Sequence, residues 1–104
     1  MDINQLILDA SYRIKPFIRK TIFSYSEVFS KLIDGEVYFK LENQQFTGSF
    51  KARGALNKIL TLNESGKSIS SVISASTGNH GAAVAYAARL SLIHISEPTR
   101  LDHI

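Results

Sequence analysis

The sequence predicts an α/β fold with parallel strands and flanking helices, and three observations carry that prediction. From residue 36 onward, strand-like and helix-like segments alternate in the order strand, turn, helix, strand, turn, helix. Both of these helical segments open on a glycine-bearing turn, Gly48-Ser49 in the first case and Gly78 in the second. The composition, 44% hydrophobic and 20% charged with two prolines, is ordinary for a soluble globular chain and unlike a disordered one. At 104 residues the chain suffices for one small domain, near the size where apolar burial only just offsets lost conformational entropy.

Each element has its own signal. Leu6, Ile7, Ala10 and Ile14 fall on one face of a helix that Pro16 brings to an end. Ser24 and Glu27 are spaced as a capping box, with Val28, Phe29, Leu32 and Ile33 on one face after it and Gly35 as the expected stop. Residues 36–41 alternate as a strand, placing Val37, Phe39 and Leu41 on one side and Tyr38 and Lys40 on the other. The polar run 42–48 breaks that strand, and residues 50–62 favour a helix with Leu56, Ile59 and Leu60 as its stripe. Val72-Ile73-Ser74-Ala75 reads as a short buried strand, followed by an alanine-rich helix over 78–89. In such a fold, ligands bind where strand ends meet helix starts.

Composition also excludes. The net charge is +3, but lysines and arginines are scattered from Arg13 to Arg100 among acids, so no basic stripe points to nucleic acid. Without cysteine there can be no disulfide framework, zinc-cysteine site or thiol catalysis. The opening residues lack the basic-then-apolar pattern of a signal peptide, and no apolar run reaches membrane-spanning length. A cytoplasmic location is therefore expected.

Lys51 falls in the first turn of a predicted helix, where the positive end of the macrodipole disfavours an ammonium. Lysine is the side chain that condenses with an aldehyde cofactor when its site desolvates it. An exposed helix lysine is the plainer reading of that position. The second candidate, Ser74-Ala75-Ser76-Thr77-Gly78-Asn79-His80-Gly81, offers free backbone N–H groups to an anion at a helix start. It could also be a tight turn with a surface histidine. No histidine and acid accompany a nucleophilic serine, so a catalytic triad is ruled out.

The segment Lys40-Leu41-Glu42-Asn43-Gln44-Gln45-Phe46-Thr47-Gly48-Ser49-Phe50-Lys51-Ala52-Arg53-Gly54-Ala55 resembles the lysine motif of fold-type-II pyridoxal-phosphate enzymes (tryptophan synthase β-like fold), above all threonine and serine dehydratases and serine racemases. The resemblance spans residues 14–89, with Thr21-Ile22 standing where the family usually has Thr-Pro. It implies that Lys51 carries pyridoxal 5'-phosphate as a Schiff base and acts as the base, and that Phe50 lies against the cofactor ring. Asn79 would hydrogen-bond the cofactor's phenolic oxygen, and Ser76, Thr77, Gly78 and His80 would line the substrate carboxylate. No metal is implied. The implied reaction is loss of the β-hydroxyl from L-threonine or L-serine, giving a 2-oxo acid and ammonia. Racemases place a Ser where this chain has Thr77, which ranks racemase second, beside threonine synthase-like lyases; a noncatalytic α/β binding domain is the alternative of a different class. The resemblance further implies a homo-oligomeric parent acting on a small amino acid.

On that resemblance, residues 1–68 begin the large cofactor-binding domain and 69–89 begin the small domain. Residues 90–104 resemble neither, because Leu90-Ser91-Leu92-Ile93-His94-Ile95-Ser96-Glu97-Pro98-Thr99-Arg100 resembles a translated transposase sequencing adapter. His94, Glu97 and His103 are accordingly not read as a metal site. The family's glycine-rich phosphate loop and the group facing the pyridine nitrogen have no counterpart in the sequence. The 104-residue chain is thus expected to be an inactive fragment of an enzyme, with exposed strand edges that make it poorly soluble.

Overall fold

The computed structural model describes residues 2–66, 71–73, 78–91 and 94–96. Helix α1 (Ile3–Ile14) starts at Asp2, whose carboxylate accepts the N–H of Asn4 at 3.0 Å. Pro16 ends it within a 3-10 turn, Lys15–Phe17, as a residue lacking an N–H should. Strand β1 (Phe23–Tyr25) pairs with β2 (Tyr38–Lys40), and α2 (Glu27–Ile33) lies between them in sequence.

That pairing is antiparallel, with Ser24 opposite Phe39, and it corrects the expectation of parallel strands for this part of the chain. The connection, residues 26–37, holds only the two-turn helix α2 and the turn after it, and it returns the chain beside β1 in the opposite direction. The same pairing corrects the capping assignment. Ser24 is held in β1, and Ser26 caps α2 instead, its Oγ accepting the N–H of Phe29 at 3.2 Å. At the other end the left-handed residue is Asp34 (φ 53°) rather than Gly35, and the Gly35 N–H closes the turn on the Ser30 carbonyl at 3.0 Å.

After β2 a second 3-10 turn, Glu42–Gln44, leads through Gly48 (φ +82°) into α3 (Lys51–Glu64). Gly48 is the position at which a positive φ is required, and it reverses the chain so that Phe50 and Lys51 start the helix. Strand β3 (Ser71–Ile73) pairs in parallel with β4 (His94–Ser96), with α4 (Asn79–Leu90) as the crossover. Ser74 and Ala75, expected to extend β3, lie outside the described residues.

The core lies between α1, α3 and α4. Leu56 and Ile59 of α3 face Ala83, Val84, Ala87 and Ala88 of α4, with Ile14 closing one end. Leu60 of the expected stripe is only half-buried at its edge. Alanines on α4 let the two helices approach closely, and Leu56 fills the space they leave. Tyr86 fastens the core to the first 3-10 turn by donating its hydroxyl to the Phe17 carbonyl at 2.7 Å, and burial raises its phenol pKa. None of the described helices is long and apolar enough to cross a membrane.

Candidate active site

Lys51 is the first residue of α3, and Phe50, the residue before it, occupies the helix N-cap position. The side chain of Phe50 stays exposed, and the Lys51 Nζ lies 5.6 Å from its ring centroid. The packing of α3 on α4 brings His80, in the first turn of α4, to the same place. Together with Arg53, Gly54 and Ala55 these residues line a cleft of about 380 Å³. A Cβ added at Gly54 would meet no atom within 4 Å, so the cleft is open above it. The cleft is walled mostly by carbon. Lys51 is exposed, so the described residues do not supply the desolvation that sequence reasoning asks of its site.

Of the residues singled out from sequence, Lys51, Phe50 and His80 are thus brought together. Gly78 and Asn79 sit at the exposed start of α4 beside His80, at the N-cap and first positions, and do not themselves line the cleft. Ser76 and Thr77 lie outside the described residues. Among those residues no cluster of histidines and acids could hold a metal ion.

Sequence reasoning missed Glu42 and Arg53, treating the run after β2 only as a strand breaker. The Arg53 guanidinium grips the Glu42 carboxylate with two nitrogens, Nε on Oε1 and Nη2 on Oε2 at 3.2 Å. Thr21 donates to Glu42 Oε2 at 2.6 Å, and Gln45 Nε2 does so at 3.2 Å. Gln45 in turn is tied to both backbone groups of Arg19, at 3.0 and 2.9 Å. The Arg53 hydrogen bond is the main reason that the Glu42 carboxyl is lowered to a pKa of about 2, against the opposing effect of burial. No local pattern signals this pair, because it forms only when the turn at Gly48 folds the start of α3 back onto the end of β2.

An amine at a helix start, an aromatic face beside it and a mostly apolar cleft are parts with which a carbonyl compound can be captured covalently. Consistent with this, residues 14–94 match the family described as Pyridoxal-phosphate dependent enzyme, and the chain belongs to that family. Over 85 residues it is 52% identical to a catabolic L-threonine dehydratase of Staphylococcus aureus, an alignment covering 81% of this chain and 24% of that protein. It is 45% identical over 84 residues to an L-threonine ammonia-lyase of Thermotoga maritima, covering 81% of this chain and 21% of the relative. The fold is similar to that of a serine racemase from Dictyostelium discoideum, with a TM-score of 0.78, 40% identity and coverage of 88% of this chain and 29% of that one. The chain therefore spans about a quarter of the length of the curated relatives it matches.

Proposed function

We propose that the intact protein to which this chain belongs is a pyridoxal-phosphate-dependent ammonia-lyase that converts L-threonine or L-serine to a 2-oxo acid and ammonia. One observation carries the reading: the adjacent pair Phe50-Lys51 and the sequence-distant His80 line one apolar cleft at two helix starts. The names of the two relatives, both threonine-converting, favour this substrate class.

The cofactor, when bound, supplies an electron sink for charge developing at the substrate α-carbon. Lys51 would hold it covalently through Nζ, and as a free amine its Nζ would take the α-proton. Phe50 would pack against the cofactor ring, and Asn79 would donate to its phenolic oxygen. Ser76, Thr77, Gly78 and His80 hold the substrate carboxylate at the start of α4, where the helix dipole favours an anion. Residues 1–68 contribute to the large domain and 69–89 to the small one, in a cytoplasmic homo-oligomer.

We read residues 90–104 as translated adapter. The β3–β4 pair, His94–Ser96 on Ser71–Ile73, is compatible with that origin, since an exposed strand edge pairs through backbone groups that any sequence supplies. Re-amplifying the gene from its organism decides this: a reading frame that keeps these residues up to its own stop codon contradicts it. Serine racemase is the second reading, favoured by the likeness to the racemase structure.

The deciding experiment uses the intact protein. It should show the absorbance of a lysine-bound cofactor, lost in Lys51→Ala, and should release 2-oxo acid from L-threonine or L-serine. Absence of that absorbance in the wild type sinks the enzyme reading. Interconversion of enantiomers without 2-oxo acid selects the racemase.

A further inference from the structure

We propose that the Glu42–Arg53 pair is a positioning device for Lys51, tying the first turn of α3 to the turn after β2 and so fixing the direction in which the Lys51 amine enters the cleft. The inference rests on the reading of Lys51 as the cofactor-bearing lysine and deepens it.

The start of α3 is weakly held by its own residues. Phe50 offers no side-chain cap, and the Lys51 N–H reaches only the Ser49 hydroxyl, at 3.3 Å. No acid lies in the first turn, whereas two cations, Lys51 and Arg53, stand at the positive end of the helix dipole. That arrangement works against helix stability, and such local conflicts are expected at functional sites.

Glu42 supplies the missing acid from outside the helix. Its two oxygens meet two guanidinium nitrogens, a fork that fixes orientation as well as distance. Glu42 is itself fixed by Thr21 and Gln45, and Gln45 by the backbone of Arg19, so a continuous set of hydrogen bonds runs from residues 19–21 through 42–45 to Arg53. Arg53 lies two residues after Lys51 and lines the same cleft. Freeing Arg53 therefore frees the turn that carries the amine. Because the Glu42 carboxyl titrates at about 2, the pair stays charged at any pH at which an amine nucleophile is useful.

A second tether on α3 provides a control. Arg13 of α1 donates to Asn57 at 2.7 Å and to Glu64 at 3.0 Å, holding the helix further along, away from the cleft. A merely structural pair would behave as Arg13 does.

The test uses the intact protein, incubated with pyridoxal phosphate, as wild type, Glu42→Gln, Arg53→Lys and Arg13→Gln. Two readouts are taken: the rate at which borohydride-trappable cofactor accumulates on Lys51, located by mass spectrometry, and the circular dichroism induced in the cofactor band. Glu42→Gln should slow capture about 10- to 100-fold and diminish the induced signal, since a displacement of the order of 1 Å costs that much. Arg53→Lys, which keeps the charge and loses the fork, should fall between, and it decides the matter by itself if Glu42→Gln does not fold. Arg13→Gln should capture at the wild-type rate while lowering the melting temperature. Wild-type capture and signal in Glu42→Gln and Arg53→Lys overturn the proposal, as does an equal slowing in Arg13→Gln. A wild type that traps nothing on Lys51 overturns the underlying assignment and this inference with it.

Discussion

Glu42 is the acid on which the site's electrostatics turn, and its depressed pKa makes a statement about stability. The carboxyl falls from 4.5 to about 2 on folding, so the unfolded chain binds more protons in that interval. The stabilisation is complete above about pH 4.5 and is lost as pH falls through 2. Glu42 is well shielded, but the Arg53 side chain is 38% exposed, so solvent screening reduces the contribution to about 1–2 kcal/mol. Urea unfolding of wild type and Glu42→Gln should therefore converge as pH falls from 4.5 toward 2 and differ by that amount at neutral pH. A gap that stays constant across the interval would show that the pair is not what titrates. The place of Lys51 in the first turn of α3 was legible in the sequence, because the Gly48-Ser49 turn precedes a helical apolar stripe. Glu42 and Arg53 flank the same turn, yet their partnership depends on how the turn at Gly48 folds back, and no local pattern encodes that.

At the scale of elements, the helices were legible and their ends less so. The alanine-rich pattern of α4 and the Leu56–Ile59 stripe of α3 were read as helices in the sequence, and the structure shows that these are the faces that meet in the core. The start of α2 shifted from Ser24 to Ser26 because β1 pairs with β2 across the intervening residues 26–37, and that distant pairing claims the Ser24 backbone first. β1 is three residues long, too short for an alternation to register. The α3–α4 contact also positions the cleft, since it sets His80 across from Lys51. Ala87 is fully buried in that contact. Ala87→Leu would force the helices apart, costing about 1–3 kcal/mol and widening the cleft. Denaturant unfolding should register the loss, together with slower cofactor capture in the intact protein; an Ala87→Leu variant as stable as wild type would mean that the helices do not pack through this face.

At the scale of the whole molecule, the buried core is small and much apolar surface is left outside it. Val28, Phe29, Leu32 and Ile33 form the one-sided face expected of α2, yet each is 49–72% exposed, and Ile3, Leu6 and Ile7 of α1 are exposed as well. The radius of gyration is 16.3 Å, against about 13 Å for a compact chain of 100 residues. Amphipathic faces of this kind are built to be covered. Relatives four times as long have the material to cover them, which is why helix periodicity could reveal these faces but could not reveal their partners. Left alone, the 104-residue chain should bury them against copies of itself. Sedimentation of the isolated chain over a tenfold concentration range should show self-association, with dye binding to exposed apolar surface that falls as association proceeds. Replacing Val28 and Leu32 with glutamate removes two of the most exposed members of the α2 face without touching the α3–α4 core, and should shift the chain toward monomer. Association undiminished by those substitutions would place the sticky surface elsewhere, on α1 or on a strand edge. A chain that stays monomeric with no dye binding would mean that these side chains are covered within the molecule itself.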